Sequence, residues 1–466
     1  MLKTRNIEAV KKVLPYVLAT AIFMQLLDST ILNTALPEIA KDLNESPLEM
    51  QSAIISYVLT LALFMPASGY LADKFGTQRV FILSLILFSL GSLFCALSYS
   101  LTQLVFSRVL QGVGGSLMTP VGRLALIRAF PKDEYVRAMN FAVIPALIGP
   151  ILGPLVGGYL VDYLSWHWIF IINIPMGLVG IVLGILYMPN FKSKIISFDL
   201  KGFLIFAAAS LSLSIGLEAI GNSMRITYVL GLFILGFLML YFYYHHAQKD
   251  SNALFPLNLF QIRTFRVGIV GNLVTRMGIS AVPLLLPLLV QVAFGESAIV
   301  SGWIVAPMAF TSIFAKSLFI PILDKFGYKK TLMFNTFIIG TLICMLALPN
   351  INHSIYWYMP IAGILGFFNS IQFTAMNAIS VADLRKSNTS SGNSLLSVNQ
   401  QLAIGIGISV GMLILNLFQK NAETELGNFE AFRYTFLVVG AFTIFTGLVF
   451  RRLHFTDGDN LKSKPH

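Results

Sequence analysis

Apolar residues run along this chain in blocks of about twenty, and the polar residues between them come in short clusters. A helix of about 20 residues, rising about 1.5 Å per residue, covers the roughly 30 Å of a bilayer's hydrocarbon core. Twelve such blocks fall into two sets of six. The first set is 13–36, 51–72, 78–98, 101–125, 136–160 and 166–189. The second is 266–292, 298–323, 330–349, 354–380, 391–418 and 430–450. Two more, 200–220 and 226–246, lie between the sets. The pattern predicts an all-α integral membrane protein with fourteen spans. Its parts are a first bundle over 1–190, an inserted pair with linkers over 191–265, and a second bundle with a short tail over 266–466. The longest polar connection, His246 to Arg266, leaves no room for a soluble catalytic or sensory domain.

One charged turn is written twice. Asp73-Lys74-Phe75-Gly76 joins the second and third blocks of the first set, and Asp324-Lys325-Phe326-Gly327 joins the same two blocks of the second. An inserted pair is an even number of crossings, so both sets enter the membrane in the same sense. Parallel repeats of this kind enclose a substrate path in one class of carriers.

Composition agrees with a bilayer as the solvent. Charged residues are 11% of the chain and hydrophobic residues 56%, and the mean hydropathy is +0.77. A soluble fold of this size has too little interior for that much apolar surface. The net charge of +11 is a topology signal and requires no nucleic acid. With the N-terminus in the cytoplasm, about 24 of the 32 basic residues fall on the inner side and only about four on the outer. The inner group includes Lys3, Arg5, Lys74, Arg79, Arg128, Lys194, Lys325, Lys329, Lys330, Lys386, Arg451 and Arg452. Both termini are therefore expected in the cytoplasm. The first apolar block is too long for a signal-peptide core and reads as a retained span. Cys95 and Cys344 have no metal spacing and imply no disulfide framework.

Gly76 and Gly327 permit the positive φ of a tight turn between helices. Asp73 and Asp324 stand near helix C-termini, where the dipole disfavours a carboxylate. They should have partners elsewhere, such as an arginine or a neighbouring helix N-terminus. A latch made in one conformation and broken in another fits; so does a plain topology-fixing turn.

These residues carry a resemblance. "GYLADKFGTQRV" resembles the loop 2–3 signature of the major facilitator superfamily, through Gly69, Asp73, Lys74, Gly76 and Arg79. Thr77 and Gln78 stand where that family often has basic residues, and Ile320 replaces the leading glycine in the second copy. "GPILGPLVGG" (Gly149, Gly153, Pro154, Gly157, Gly158) resembles the superfamily's antiporter motif. Physically, small residues four apart let another helix pack closely, and Pro154 is expected to bend the helix. A kinked packing helix with no bearing on transport fits these residues as well. "LDSTILNTALPEIAKDL" and "SWHWIFIINIPMG" look like the fourteen-helix drug:proton antiporter branch, with His167 where an arginine is usual. The likeness covers essentially the whole chain and is nearest to multidrug exporters of Gram-negative inner membranes. It implies a major facilitator fold and a location in the bacterial inner membrane.

Charges inside spans are costly and mark functional candidates. Asp28 is the one carboxylate well inside a helix of the two bundles, and Arg108 in the fourth helix is expected at similar depth. A buried carboxylate gains a proton more readily through desolvation and less readily beside a cation. Moving Arg108 would therefore switch Asp28 between its two forms, the minimum for proton coupling. The resemblance points the same way, since "RVLQGVGG" (Arg108, Gln111, Gly112) looks like the motif tied to coupling. A static ion pair fits the same residues. Candidates for a substrate cavity are Gln25, Arg276, Lys316, Asn369 and Gln372; some polar residues in spans will instead tie helices together. Arg123 can snorkel, and Glu218 reads as interfacial.

There is no Gly-x-x-x-x-Gly-Lys-Ser/Thr loop and no His-Glu-x-x-His motif, so neither ATP hydrolysis nor zinc chemistry is expected. An enzyme has little support, and no cofactor or metal is expected. The best reading is a proton-coupled secondary transporter, an exporter of the multidrug type working by alternating access as a monomer. Its partners are a small-molecule substrate, protons and the lipid bilayer. The positive interior charges keep an alternative open: organic anions or metal chelates as cargo.

Overall fold

The computed structural model describes residues 7–193, 197–221, 224–250, 252–350, 352–385, 389–420 and 425–461. Lys3, Arg5, Lys194 and Lys386 lie outside them. In chain order the helices are α1 (Ile7–Asp42), α2 (Gln51–Phe64 and Ala67–Phe75), α3 (Thr77–Ala96), α4 (Leu101–Ala129), α5 (Lys132–Ala146 and Gly149–Tyr163) and α6 (Trp168–Tyr187). Then come α7 (Leu200–Gly221), α8 (Ile226–Lys249) and α9 (Arg263–Ala293). The helical stretch Ala298–Met345 breaks at Gly327 into α10 and α11. It is followed by α12 (Tyr358–Val381), α13 (Thr389–Gln419) and α14 (Glu425–Thr446).

Eleven of these stretches are long and apolar enough to cross a membrane, and α2, bent by 58° between its two parts, makes a twelfth. Two more come from chain length. Ala298–Met345 has 48 residues, which at about 1.5 Å each is about 72 Å, more than twice the hydrocarbon core. The other is α4, which has 29 residues and is less apolar because it carries Arg108, Arg123 and Arg128. The fourteen expected spans are therefore present.

The chain divides into two compact units, Met1–Phe198 and Asp199–His466. The first holds α1–α6; the second holds the inserted pair α7–α8 together with α9–α14. Within the first unit, α1 packs on α5 and α6, α4 on α2 and α3, and α3 on α6. Within the second, α9 packs on α13 and α14, α12 on the α10–α11 stretch, and that stretch on α14. First helix on fifth and sixth, fourth on second and third: the same pairing is built twice. The repeat seen in the sequence is thus also a repeat of topology. Helix α7 packs against α13.

Both repeated turns take the same backbone form. Gly76 has φ +100° and Gly327 φ +70°, values that a side chain would strain. Helix α5 is interrupted at Leu147–Ile148 and continues through Pro154. Pro145 and Pro150 bracket that break, and neither offers an amide to the helical ladder.

Candidate functional site

Five helices of the first unit converge on one buried cluster. Asp28 of α1 and Arg108 of α4 are each 1% exposed. Arg108 Nη1 donates to Asp28 Oδ2 at 2.7 Å and to Gln111 Oε1 at 2.5 Å. Asp28 Oδ1 accepts from Gln111 Nε2 at 2.7 Å and from Asn173 Nδ2 of α6 at 3.2 Å. Gln111 Nε2 also donates to Ser92 Oγ of α3 at 2.9 Å. From α2, the Ala53 carbonyl accepts from Arg108 Nε at 3.2 Å, and the Tyr57 ring centre lies 4.1 Å from the guanidinium carbon. The residues Arg108 and Gln111 are three apart on α4, so both side chains leave one face.

An ion pair this dry survives only when its remaining hydrogen-bonding capacity is met. Here it is met by one amide from α4, one from α6 and one backbone carbonyl. The chemical consequence is specific. A proton added to Asp28 leaves Arg108 still held by Gln111 Oε1, the Ala53 carbonyl and the Tyr57 face. The cation keeps partners whichever form the acid takes.

The glycine motif bears on the same place. A Cβ on Gly153 would lie 2.0 Å from Thr30 Oγ1, and one on Gly157 would lie 2.5 Å from Thr34 Oγ1. Gly149 abuts the Leu27 amide in the same way, and Gly158 is buried in the same helix. The motif therefore presses α5 onto the turns of α1 that carry Asp28.

At the first repeated turn, Asp73 pairs with Arg128 at the end of α4, Oδ1 to Nη2, at 2.6 Å. That is the arginine partner its position demanded. Thr77 and Gln78 grip the end of α6. Thr77 Oγ1 donates to the Pro189 carbonyl at 2.7 Å, and Gln78 Nε2 to the Gly184 carbonyl at 3.0 Å. Lys74 donates to the Tyr70 hydroxyl, 3.2 Å away, and Arg79 is exposed. At the second turn Asp324 is exposed, while Gly327 and Tyr328 are buried. The chain beyond α14 folds back there. Leu453 joins a cluster with Tyr328, Leu323 and Ile379, Lys329 sits 4.5 Å over the Phe455 ring, and Asp457 pairs with Arg263 at 2.5 Å.

The cavity candidates separate. Gln25 accepts from Thr119 at 2.5 Å, and Asn369 is half-buried. Gln372 is fully committed, accepting from Asn335 at 2.9 Å and donating to Thr336 at 2.8 Å. Lys316 is exposed. Arg276 is buried against Asn272 and Phe373.

Several participants escaped the sequence reading: Asn173, Ser92, Tyr57 and the Ala53 carbonyl. Asn173 had a signal, as a lone amide in "IFIINIPMG". The two stretches quoted for the antiporter branch also meet at a second point, where Trp166 Nε1 donates to Asp42 Oδ2 at 2.8 Å. Asp199, His246 and Asp250 bring donor atoms within 4.8 Å of one another. Asp199 Oδ1 already accepts from Gly202 N and lies 2.8 Å from His246 Nε2, and Oδ2 accepts from Leu254 N. That cluster is accounted for as a helix cap.

Known proteins place these features in context. The family model of the Major Facilitator Superfamily matches residues 18–262 and 268–466. "Probable transport protein HsrA" of Haemophilus influenzae is 43% identical over 97% of this chain and 98% of its own length. "Putative multidrug resistance protein MdtD" of Escherichia coli is 40% identical over 94% of each. A solved structure of the peptide transporter POT in complex with sulfate superposes with a TM-score of 0.69 at 15% identity, covering 94% of each chain. That last likeness speaks to the fold alone.

Proposed function

The chain belongs to the major facilitator superfamily, and on that premise we propose that it exports small molecules in exchange for protons, as a multidrug efflux carrier of the bacterial inner membrane. Asp28 is the proton carrier, and Arg108 sets its affinity for the proton. The observation that carries this reading is the pair itself: a carboxylate and a guanidinium, each 1% exposed, inside a bundle with no other acid of that depth among the described residues. A proton entering from outside neutralises Asp28 and frees its oxygens from Arg108, which falls back on Gln111 and Ala53. Loss of that proton toward the cytoplasm restores the pair. Each change alters what α1 and α4 hold in common, which is the differential interaction that alternating access needs.

The multidrug cargo is inferred from the relatives called MdtD. Both termini are placed in the cytoplasm on the distribution of Lys and Arg, and the working unit is a monomer. Asp73–Arg128 acts as the latch, with Lys74, Gly76 and Arg79 shaping its turn, and Asp324 and Gly327 form its counterpart.

The test uses proteoliposomes with an imposed pH gradient and ethidium as the cargo probe. Asp28→Asn inserts in the membrane and moves no ethidium uphill, whereas the wild type does. Uphill pumping by the variant at the normal rate would overturn the assignment.

A further inference from the structure

Arg276 stands near the middle of α9 and is 7% exposed. Its Nε donates to Asn272 Oδ1, one helical turn earlier, at 3.1 Å. Its guanidinium carbon lies 3.6 Å from the centre of the Phe373 ring of α12. Among the described residues it pairs with no carboxylate. Two buried donors at this place have no acceptor: Arg276 Nη2 and Asn272 Nδ2. Residues four apart share a helix face, so the two donors belong to one spot. Phe373, at its edge, is 36% exposed.

A guanidinium without a counter-charge inside a span is expensive. The Phe373 ring face offers a quadrupole in place of a counter-charge, and the Asn272 carbonyl satisfies only Nε. What the site lacks is negative charge carried on paired acceptors. A carboxylate supplies this in one plane, which is the geometry a guanidinium fork and a neighbouring amide recognise. We propose that Arg276 and Asn272 form a subsite for the carboxylate of an amphipathic cargo, with the exposed part of Phe373 against its apolar portion. This rests on the export reading and narrows it: the efflux cargo includes aromatic or lipophilic acids and zwitterions.

The test measures equilibrium binding to the purified full-length protein in detergent, with no pH gradient. The probes are pyrenebutyrate and its uncharged methyl ester, followed by their fluorescence. The wild type binds the acid more tightly than the ester. Arg276→Gln weakens acid binding by about thirtyfold or more, as expected when one partner of a buried charge pair is removed, and erases the preference. Asn272→Ala keeps the charge and weakens the acid severalfold, so the test stands even if the first variant does not fold. Equal binding of acid and ester by the wild type would overturn the subsite, as would an unchanged preference in both variants. Because no gradient is used, failure of the proton-coupling assignment leaves this result intact, and failure here leaves the Asp28 experiment intact.

Discussion

Among the described residues, two arginines are buried inside spans, and the molecule treats them in opposite ways. Arg108 meets a carboxylate, an amide oxygen, a backbone carbonyl and an aromatic face. Arg276 meets one amide oxygen and one aromatic face, and keeps a donor unsatisfied. The first has its counter-charge within the protein. The second is complete only with something brought to it. A cation that is already balanced can respond to a proton, whereas one that is not can respond to an anionic ligand. On the proposed reading, the contrast sets a coupling site in the first unit against a recognition site in the second.

The contrast can be broken by stability measurements, since removing a partner and removing an unbalanced charge have opposite signs. Asp28→Ala takes from Arg108 its only counter-charge among the described residues and is expected to destabilise the first unit by about 3–5 kcal/mol, seen as a lower melting temperature in detergent. If the melt does not move, Arg108 does not depend on its carboxylate. Arg276→Gln removes an unbalanced charge and is expected to raise stability by about 1–3 kcal/mol; a fall of that size would mean that Arg276 is as fully satisfied as Arg108.

A third measurement asks how a fully capped acid behaves outside the spans. Burial pushes the Asp199 carboxyl up, but the Gly202 and Leu254 amides and His246 outweigh it and hold the group below its usual value. A carboxyl lowered on folding adds stability above its unfolded pKa and loses it as pH falls through the folded one. At pH 7 Asp199→Asn should melt lower than the wild type, by about 1 kcal/mol, the difference between hydrogen bonds to a charged and to a neutral acceptor, and the gap should close below about pH 4. A gap that widens in acid reverses the sign and refutes the account. The smallest effect is expected at Asp73, whose pair with Arg128 is about a quarter exposed on each side. Asp73→Asn should cost under about 1 kcal/mol while slowing ethidium export, so unchanged export would reduce the latch to a plain turn.

Much of this was legible in the sequence for physical reasons. Spans declare themselves because lipid forces every backbone group into a helix. The turns declared themselves because only glycine accepts the φ found at Gly76 and Gly327. Asp28 and Arg108 were legible because a charge in a span is rare. Their partners were not. Asn173, Ser92 and Tyr57 are ordinary residues until the rotation of their helices is known, and rotation is set by packing across distant parts of the chain. The break in α5 at Leu147–Ile148 was not foreseen, for a related reason. Three prolines stand close together there, and which one interrupts the helix depends on how the glycine face seats on α1. The fold-back of Leu453–Leu461 onto the second turn had no period or motif to announce it.

Helix α6 has a further consequence. Asn173, near its start, touches the acid, and Pro189, just past its end, is gripped by Thr77. The fifteen helical residues from Asn173 to Tyr187, at about 1.5 Å each, make a strut of about 22 Å with one foot on the charge and the other beside the turn. Rigid rods transmit tilt. If Asp28 carries the proton as proposed, a strut fixed at both feet makes the state of a deep carboxyl readable at the membrane surface, and lets a push at that surface be felt by the carboxyl.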